Sequence, residues 1–460
     1  MENFNSYKNK KIYLAPNSPM TLALEQHLLT INIRPLGFID KHQQGKNIKS
    51  IEDVEDRYDY ILILSPNHFD AICLDLLPFV SYKKVVKISI ENGEYRLERD
   101  FPYPKEKAFS YNPQQLHVHR DKIVLISKSF ISSNNKAFYL HCLRNGYKTV
   151  ILTDNKAQIE ELKTHGLPYG VLDTKQADYE IAEAKFIVFD QGNYTYLPPL
   201  HPSQRTIQLW HGVGLKKMAR MKHITYDYFI STSKWTNETN FQHVFSAERF
   251  LTSGYPRNDI FTKEADPLDF LLCDLYVHSK ISTNSHEKVI LYAPTHRENN
   301  AQIPLDFEVL NLFLSRNNFL LIVKLHPFTL AYYSSIEQGN YSHIIFHNAH
   351  GDVYPLLKYI DVLISDFSSI AYDFLLLNRP ILYFMYDKEA YIKNVPMLYD
   401  LKANSPGLII YSEQCLMHAL LLQDSYQEER TRVKHLFFEK NNQSASQDIL
   451  DTIWRDAKGI

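Results

Sequence analysis

Four short stretches carry side chains suited to phosphate chemistry, and each sits where an apolar run ends. His211 and Gly212 follow TIQLW, His296 and Arg297 follow VILYAPT, Lys324 and His326 close LLIVKLHP, and Asp366, Ser368 and Ser369 follow DVLIS. Guanidinium and ammonium groups beside hydroxyls suit phosphate oxygens through charge-assisted hydrogen bonds. An imidazole with its ordinary pKa of about 6.5 can take a proton from a hydroxyl at neutral pH. Together these residue types favour transfer from a phosphorylated donor to an alcohol. The chain holds 20 His, so one histidine alone says little, whereas four run ends with compatible chemistry say more. Other chemistries lack their residues. There is no GxGxxG, no Walker lysine and no carboxylate pair of the glycosidase kind. No acidic cluster has metal-ligand spacing, although Asp366 and Asp373 could hold a divalent cation; no other cofactor is called for.

The elements that must position these residues alternate in type. In the stretch 361–391, residues 361–365 read as a buried strand and 370–377 as an apolar helix with Ser368 and Ser369 at its N-cap. Arg379-Pro380 then breaks that helix ahead of a strand at 381–385. A strand feeding a hydroxyl-capped helix is a ready anion site, because free N–H groups and the helix dipole face the loop. Upstream, strands at 288–292, 319–327 and 343–347 belong to the same unit, and strands at 122–127, 148–153, 185–190, 206–210 and 226–231 form another. Strands at 11–15, 36–39 and 58–64 with helices at 20–29 and 69–79 make a third, smaller parallel sheet. Its first loop, APNSPM, lacks the glycines that let a pyrophosphate approach, so it reads as an accessory unit and not a dinucleotide site. Segments 100–120 and 266–287 read as linkers, which sets domains at 1–115, 120–265 and 285–460. Charged helices near 411–460 read as solvated faces closing the chain. In doubly wound sheets ligands sit outside the carboxyl ends of the strands, where the residues above fall.

Composition narrows the class. A net charge of -2 gives no sign of nucleic-acid binding, and the four cysteines are far apart with no CxxC, which excludes a zinc ribbon or disulfide framework. The N-terminus MENFNSYKNKK lacks a signal-peptide core, and no apolar run approaches the ~18–20 residues of a membrane span, so a cytoplasmic protein is expected.

Five ordered motifs carry a family resemblance: QLWHGVGLKK (208–217), GYPRNDIF (254–261), ILYAPTHRE (290–298), VKLHP (323–327) and the whole of 361–391. Together they resemble the CDP-glycerol glycerophosphotransferase family of teichoic-acid and capsule polymerases, over about residues 120–410. The resemblance implies a GT-B fold, two Rossmann-like domains facing a cleft, with the small α/β domain added in front. It implies transfer of glycerol phosphate from CDP-glycerol to a hydroxyl of a polymer or lipid-linked acceptor, with release of CMP. By the same resemblance His211 is the general base and His326 joins it in the catalytic set. Lys324, Arg297 and His326 contact the pyrophosphate, and Ser368 and Ser369 bind the donor phosphate. Asp366 acts through backbone or nucleotide contacts, Gly212 belongs to the WHG motif, and Gly254 and Arg257 shape the interdomain side. The family usually has Pro where this chain has Gly214, so a more mobile His211 loop is expected. CDP-ribitol is the alternative donor. A GT-B glycosyltransferase or epimerase acting on a UDP-sugar and a non-enzymatic nucleotide-binding scaffold are the readings from other classes. Lys216, Lys217, Arg220 and Lys222 form a basic cluster that reads first as a solvated face. Its second reading is contact with acceptor phosphates or with anionic lipid at the inner membrane face.

Overall fold

Runs such as KVILY and FLLIV have too few polar residues for a half-exposed strand, and they form the centre of parallel sheets covered on both faces. The computed structural model describes residues 4–41, 45, 47–49, 58–76, 84–91, 93–99, 118–172, 174–191, 197, 200–218, 221, 225–283, 285–297, 303–326, 339–440 and 444–458. Most of the expected linker at 100–120, and the cluster members Arg220 and Lys222, lie outside the described residues. Two compact units divide the chain, one chiefly of residues 1–111 and one of 112–192 with 199–460.

The first unit holds β1 (Ile12–Ala15), β2 (Gly37–Ile39), β3 (Ile48–Lys49), β4 (Tyr60–Ile63), β5 (Val85–Glu91) and β6 (Glu94–Glu98). They line up as β3-β2-β1-β4-β5-β6, parallel except for the final antiparallel pair. Helix α1 (Pro19–Thr30) follows β1, and Ser18 and Thr21 close a reciprocal capping box at its start.

The second unit contains two sheets. One is formed by β7 (His119–Ile126), β8 (Lys148–Thr153), β9 (Tyr169–Val171), β10 (Ala184–Phe189), β11 (Arg205–Gln208), β12 (Thr225–Ile230) and β13 (Ser246–Leu251). Its order is β13-β12-β11-β10-β7-β8-β9. The other is formed by β14 (Lys288–Tyr292), β15 (Phe319–Val323), β16 (Ile344–Phe346), β17 (Val362–Ser365), β18 (Ile381–Phe384) and β19 (Leu408–Ile410), ordered β16-β15-β14-β17-β18-β19. Both are wholly parallel and start from a central strand, so each has its switch point beside β7 or β14. The side-chain period of two divides the last sheet cleanly. Val289 and Leu291 join the core on one face while Ile290 and Tyr292 join the core on the other.

Three local features differ from the sequence expectations. The helix after β17 is α-helical only over α2 (Ile370–Phe374), tightens to a 3-10 turn at Leu375–Leu377, and stops at Asn378, which takes a left-handed φ of 50°. The expected helix at 234–245 contains a π-helical turn over Asn237–Phe241. The last helix, α3 (Ala445–Lys458), is no solvated face of the third domain. Its Ile449, Leu450 and Ile453 enter the core of the β7–β13 sheet, and Trp454 stacks on Tyr147 at 5.7 Å. The chain therefore crosses back to the preceding domain at its end, because the apolar stripe on α3 can only be buried there.

Candidate active site

The loop after β11 is built under strain. Trp210 has φ of 52°, a conformation that costs a bulky side chain about 1–3 kcal/mol and persists only where the surroundings enforce it. They do so here. Trp210 N–H donates to Gln208 Oε1 at 2.9 Å, and Asn134 Nδ2 donates to the Trp210 carbonyl at 2.8 Å. The indole packs on the His211 ring at 4.1 Å and edge-on against Phe245 at 4.7 Å. This turns the imidazole toward the end of β10, where Nδ1 donates to the Asp190 carbonyl at 2.7 Å. A carbonyl only accepts, so Nδ1 carries the proton and Nε2 keeps its lone pair. Burial, with the Arg257 charge adding to it, lowers the His211 pKa to about 4. Asp190 is itself fully buried. Its carboxylate accepts from Ser133 Oγ at 2.5 Å and from Asn135, and burial raises its pKa to about 6.

A buried ion pair joins this loop to the next sheet. Arg257 donates through Nη1 to the His211 and Ser132 carbonyls at 3.0 and 2.8 Å, and through Nη2 to Asp373 Oδ2 at 2.6 Å. Asp373, on α2, also accepts from Tyr354 OH at 2.6 Å and from Asn258 Nδ2 at 2.8 Å. Tyr255 OH donates to the Gly212 carbonyl at 2.5 Å. A second buried pair, Lys136 with Asp352 at 2.9 Å, ties the same two domains.

On the β14–β19 side the residues separate into two groups. Ser369 is the N-cap of α2, but it has helical φ and ψ of -65° and -19°, and its hydroxyl makes no capping bond. It lies instead beside Gly212, where a Cβ would come 3.4 Å from Ser369 Oγ. The His211 loop thus lies against Ser369 at ordinary contact distance. Ser368 precedes it, half-buried. Lys324 donates to the carbonyls of Asn348 and Ala349, and burial lowers its pKa to about 8. The His326 ring lies 4.9 Å from that of His296, and burial, then the positive neighbours His296, Lys324 and His350, lower its pKa. Four basic side chains near one strand end suit an anion.

Arg297 and Asp366 belong to a different set. Arg297 donates to Asp366 Oδ2 at 2.7 Å, to both Asp387 oxygens at 2.6 and 2.9 Å, and to the Thr295 carbonyl at 2.7 Å. Asp366 in turn accepts from the Thr295 N–H and hydroxyl at 2.9 and 2.7 Å. In this structure Arg297, expected to contact the pyrophosphate, is paired with carboxylates, and the Asp366 side chain holds the APT loop. Asp366 and Asp373, the two acids that could hold a divalent cation, are each bound to an arginine in this structure. Among the described residues no group of three or more His, Cys, Asp or Glu is arranged to hold a metal ion.

Gly214 corrects another expectation. Its φ is 66°, which proline cannot adopt, and its carbonyl accepts from Asn240 Nδ2 at 2.5 Å. Met397 bridges Lys216, and Lys217 N–H donates to the Pro396 carbonyl at 3.0 Å. The loop is pinned rather than loosened. Sequence reasoning also passed over Asn134, Asp190, Trp210 and Tyr354, and read Lys216 only as one of a basic cluster. Asp190 carried one signal, as a lone acid closing the apolar run KFIVF at a strand's carboxyl end.

The family model of CDP-glycerol:poly(glycerophosphate) glycerophosphotransferases matches residues 109–455. The teichoic acid ribitol-phosphate polymerase TarK of Staphylococcus aureus is 26% identical over 375 residues, 76% of this chain and 71% of that protein. The teichoic acid glycerol-phosphate transferase of the same species is 24% identical over 361 residues, 70% and 90% of the two chains. Among solved structures, a variant of the wall teichoic acid polymerase TagF superposes with a TM-score of 0.60 at 25% identity, covering 74% of this chain and 90% of that one. The matched region contains both sheets that carry the site, and the chain belongs to the CDP-glycerol:poly(glycerophosphate) glycerophosphotransferase family, transferases of the GT-B fold.

Proposed function

We propose that this enzyme moves glycerol phosphate from CDP-glycerol to a hydroxyl of a teichoic-acid-type acceptor and releases CMP. The observation that carries this reading is the neutral His211, its Nε2 lone pair without a protein hydrogen bond among the described residues, on a loop that packs against Ser369. The acceptor oxygen attacks the phosphorus that bears glycerol, and His211 Nε2 takes the hydroxyl proton. The bond from that phosphorus to the bridging oxygen breaks, and its electron pair leaves on CMP. Phosphoryl transfer asks the protein mainly for positioning and charge stabilisation. The serine pair and the basic group around Lys324, His326 and His296 supply donors for the phosphates.

Ribitol phosphate is the second reading for the donor, since relatives are named for either polyol. An acceptor carried on a lipid would bring the enzyme to the cytoplasmic membrane face; among the described residues no helix is long and apolar enough to cross a membrane. The test offers purified protein CDP-glycerol, CDP-ribitol and UDP-sugars with a lipid-linked primer and follows CMP and UDP. CMP release from CDP-glycerol is expected, and His211→Ala should lower it on the order of 10² to 10⁴-fold. UDP release without CMP release, or an unaffected His211→Ala, refutes the reading.

A further inference from the structure

Among the described residues, the buried arginines and lysines around the site other than Lys216 are hydrogen-bonded to protein partners. Arg257 pairs with Asp373, Arg297 with Asp366 and Asp387, Lys136 with Asp352, and Lys324 with two carbonyls. Lys216 is half-buried, yet among the described residues no carboxylate or carbonyl lies within hydrogen-bond distance of its ammonium. It lies over an aromatic face, that of Tyr391, 5.5 Å away. That ring stacks on Phe367, the residue before Ser368, at 4.3 Å and carries the Arg297 guanidinium at 4.6 Å, so Lys216 and Arg297 share one aromatic ring. The main chain around it is fixed. Leu398 N–H donates to the Leu215 carbonyl at 2.8 Å and Asn240 Nδ2 to the Lys216 carbonyl at 3.0 Å.

A charge withdrawn from water without a hydrogen-bonded counter-ion is costly, and burial lowers the Lys216 pKa, an effect that the Asp366 carboxylate offsets only in part. A fixed backbone, an ammonium without a hydrogen-bond partner among the described residues, and a loop whose Gly212 lies beside Ser369 are explained together by an anion that completes the set. We propose that Lys216 binds the donor nucleotide's phosphate, and specifically the phosphate that departs as CMP. His211 and Lys216 stand on one loop, so the element that receives the proton from the entering alcohol also stabilises the charge on the leaving group. No proton need pass to CMP from Lys216: the electron pair of the broken P–O bond stays on the CMP oxygen, where the ammonium offsets it. This inference rests on the transfer reaction above and adds the residue that holds its leaving group.

Lys216→Met keeps the aliphatic stem against Tyr391 and removes the charge. Calorimetric binding of CMP and of cytidine to the full chain distinguishes the roles. CMP affinity should fall about tenfold to a hundredfold, the loss of one hydrogen bond to a charged group, while cytidine affinity stays constant and the melting temperature does not drop. Lys216→Arg should recover part of the CMP affinity. Unchanged CMP binding by Lys216→Met, with wild-type turnover intact, overturns this proposal alone. Equal loss of CMP and cytidine affinity also overturns it, marking a packing residue. Wild-type protein that binds neither CMP nor CDP-glycerol overturns the transfer reading and this inference together.

Discussion

Asp373→Asn tests whether the buried ion pair behind the site holds the two domains in register. The carboxylate is fully buried and receives three donors, from Arg257, Tyr354 and Asn258. Asparagine keeps one acceptor oxygen and turns an NH₂ toward groups that donate to the carboxylate, among them a guanidinium that can only donate. It also leaves the Arg257 guanidinium, 4% exposed, without its counter-ion. Breaking such a pair by removing one partner typically costs about 3–5 kcal/mol, a large share of the roughly 5–15 kcal/mol that holds a native protein together. The denaturant midpoint should fall accordingly in an unfolding series followed by tryptophan fluorescence. Replacing both partners, Arg257→Met with Asp373→Leu, leaves no stranded charge. The double variant should therefore be less destabilised than the two single changes summed, with a coupling of about 2 kcal/mol or more. A midpoint for Asp373→Asn indistinguishable from wild type, or strict additivity in the cycle, would refute the reasoning.

Two further outcomes follow from the His211 loop. Because His211 titrates near 4 when folded and about 6.5 when unfolded, its stability contribution is complete above pH 6.5 and is lost as pH falls toward 4. His211→Asn should flatten that part of the stability–pH curve, and the acid limb of kcat/KM in the wild type should lie below about pH 5; a limb at 6.5 would contradict the burial argument. Gly214→Ala should cost at least about 1–2 kcal/mol for the left-handed backbone, and a Cβ there would also meet Phe241 at 2.8 Å. Its denaturant midpoint checks this, and a neutral substitution would show that the loop is not held as described.

The fold was legible because its signals are local. Apolar runs of four to six residues ending in turns mark each central strand, and the charged residues just beyond KVILY, FLLIV and VLIS lie at the carboxyl ends where open sheets bind ligands. Residue types at those positions also suggested phosphate. What stayed hidden is pairing across long sequence separation. Arg297 beside hydroxyls reads as a phosphate ligand, and nothing near it in sequence shows that Asp387, 90 residues on, takes two of its donors. Asp373 looks like a spare acid until Arg257, 116 residues earlier, proves to be its partner. Even α3 seemed a solvated helix, since its stripe of Ile449, Leu450 and Ile453 shows an apolar face but not which sheet receives it.

The same pairing explains how one loop serves two domains without being left free to move. Ser369 and Asp373 are one helical turn apart on α2, so the group that approaches Gly212 and the group that grips Arg257 move as one body. Arg257 in turn holds the His211 carbonyl, and Asp190 holds the His211 ring. The separation between the base and the serine pair is therefore set by buried hydrogen bonds that run from Asp373 on α2 through Arg257 to His211, with Gly212 packed beside Ser369. A geometry fixed before the substrate arrives costs no reorganisation during transfer, the condition under which oriented donors stabilise a phosphoryl transition state most. It follows that the strain at Trp210 is a consequence of the architecture. The loop must leave β11, present His211 to the Asp190 carbonyl and reach Ser369 within four residues, and a left-handed turn at 210 is the means it adopts.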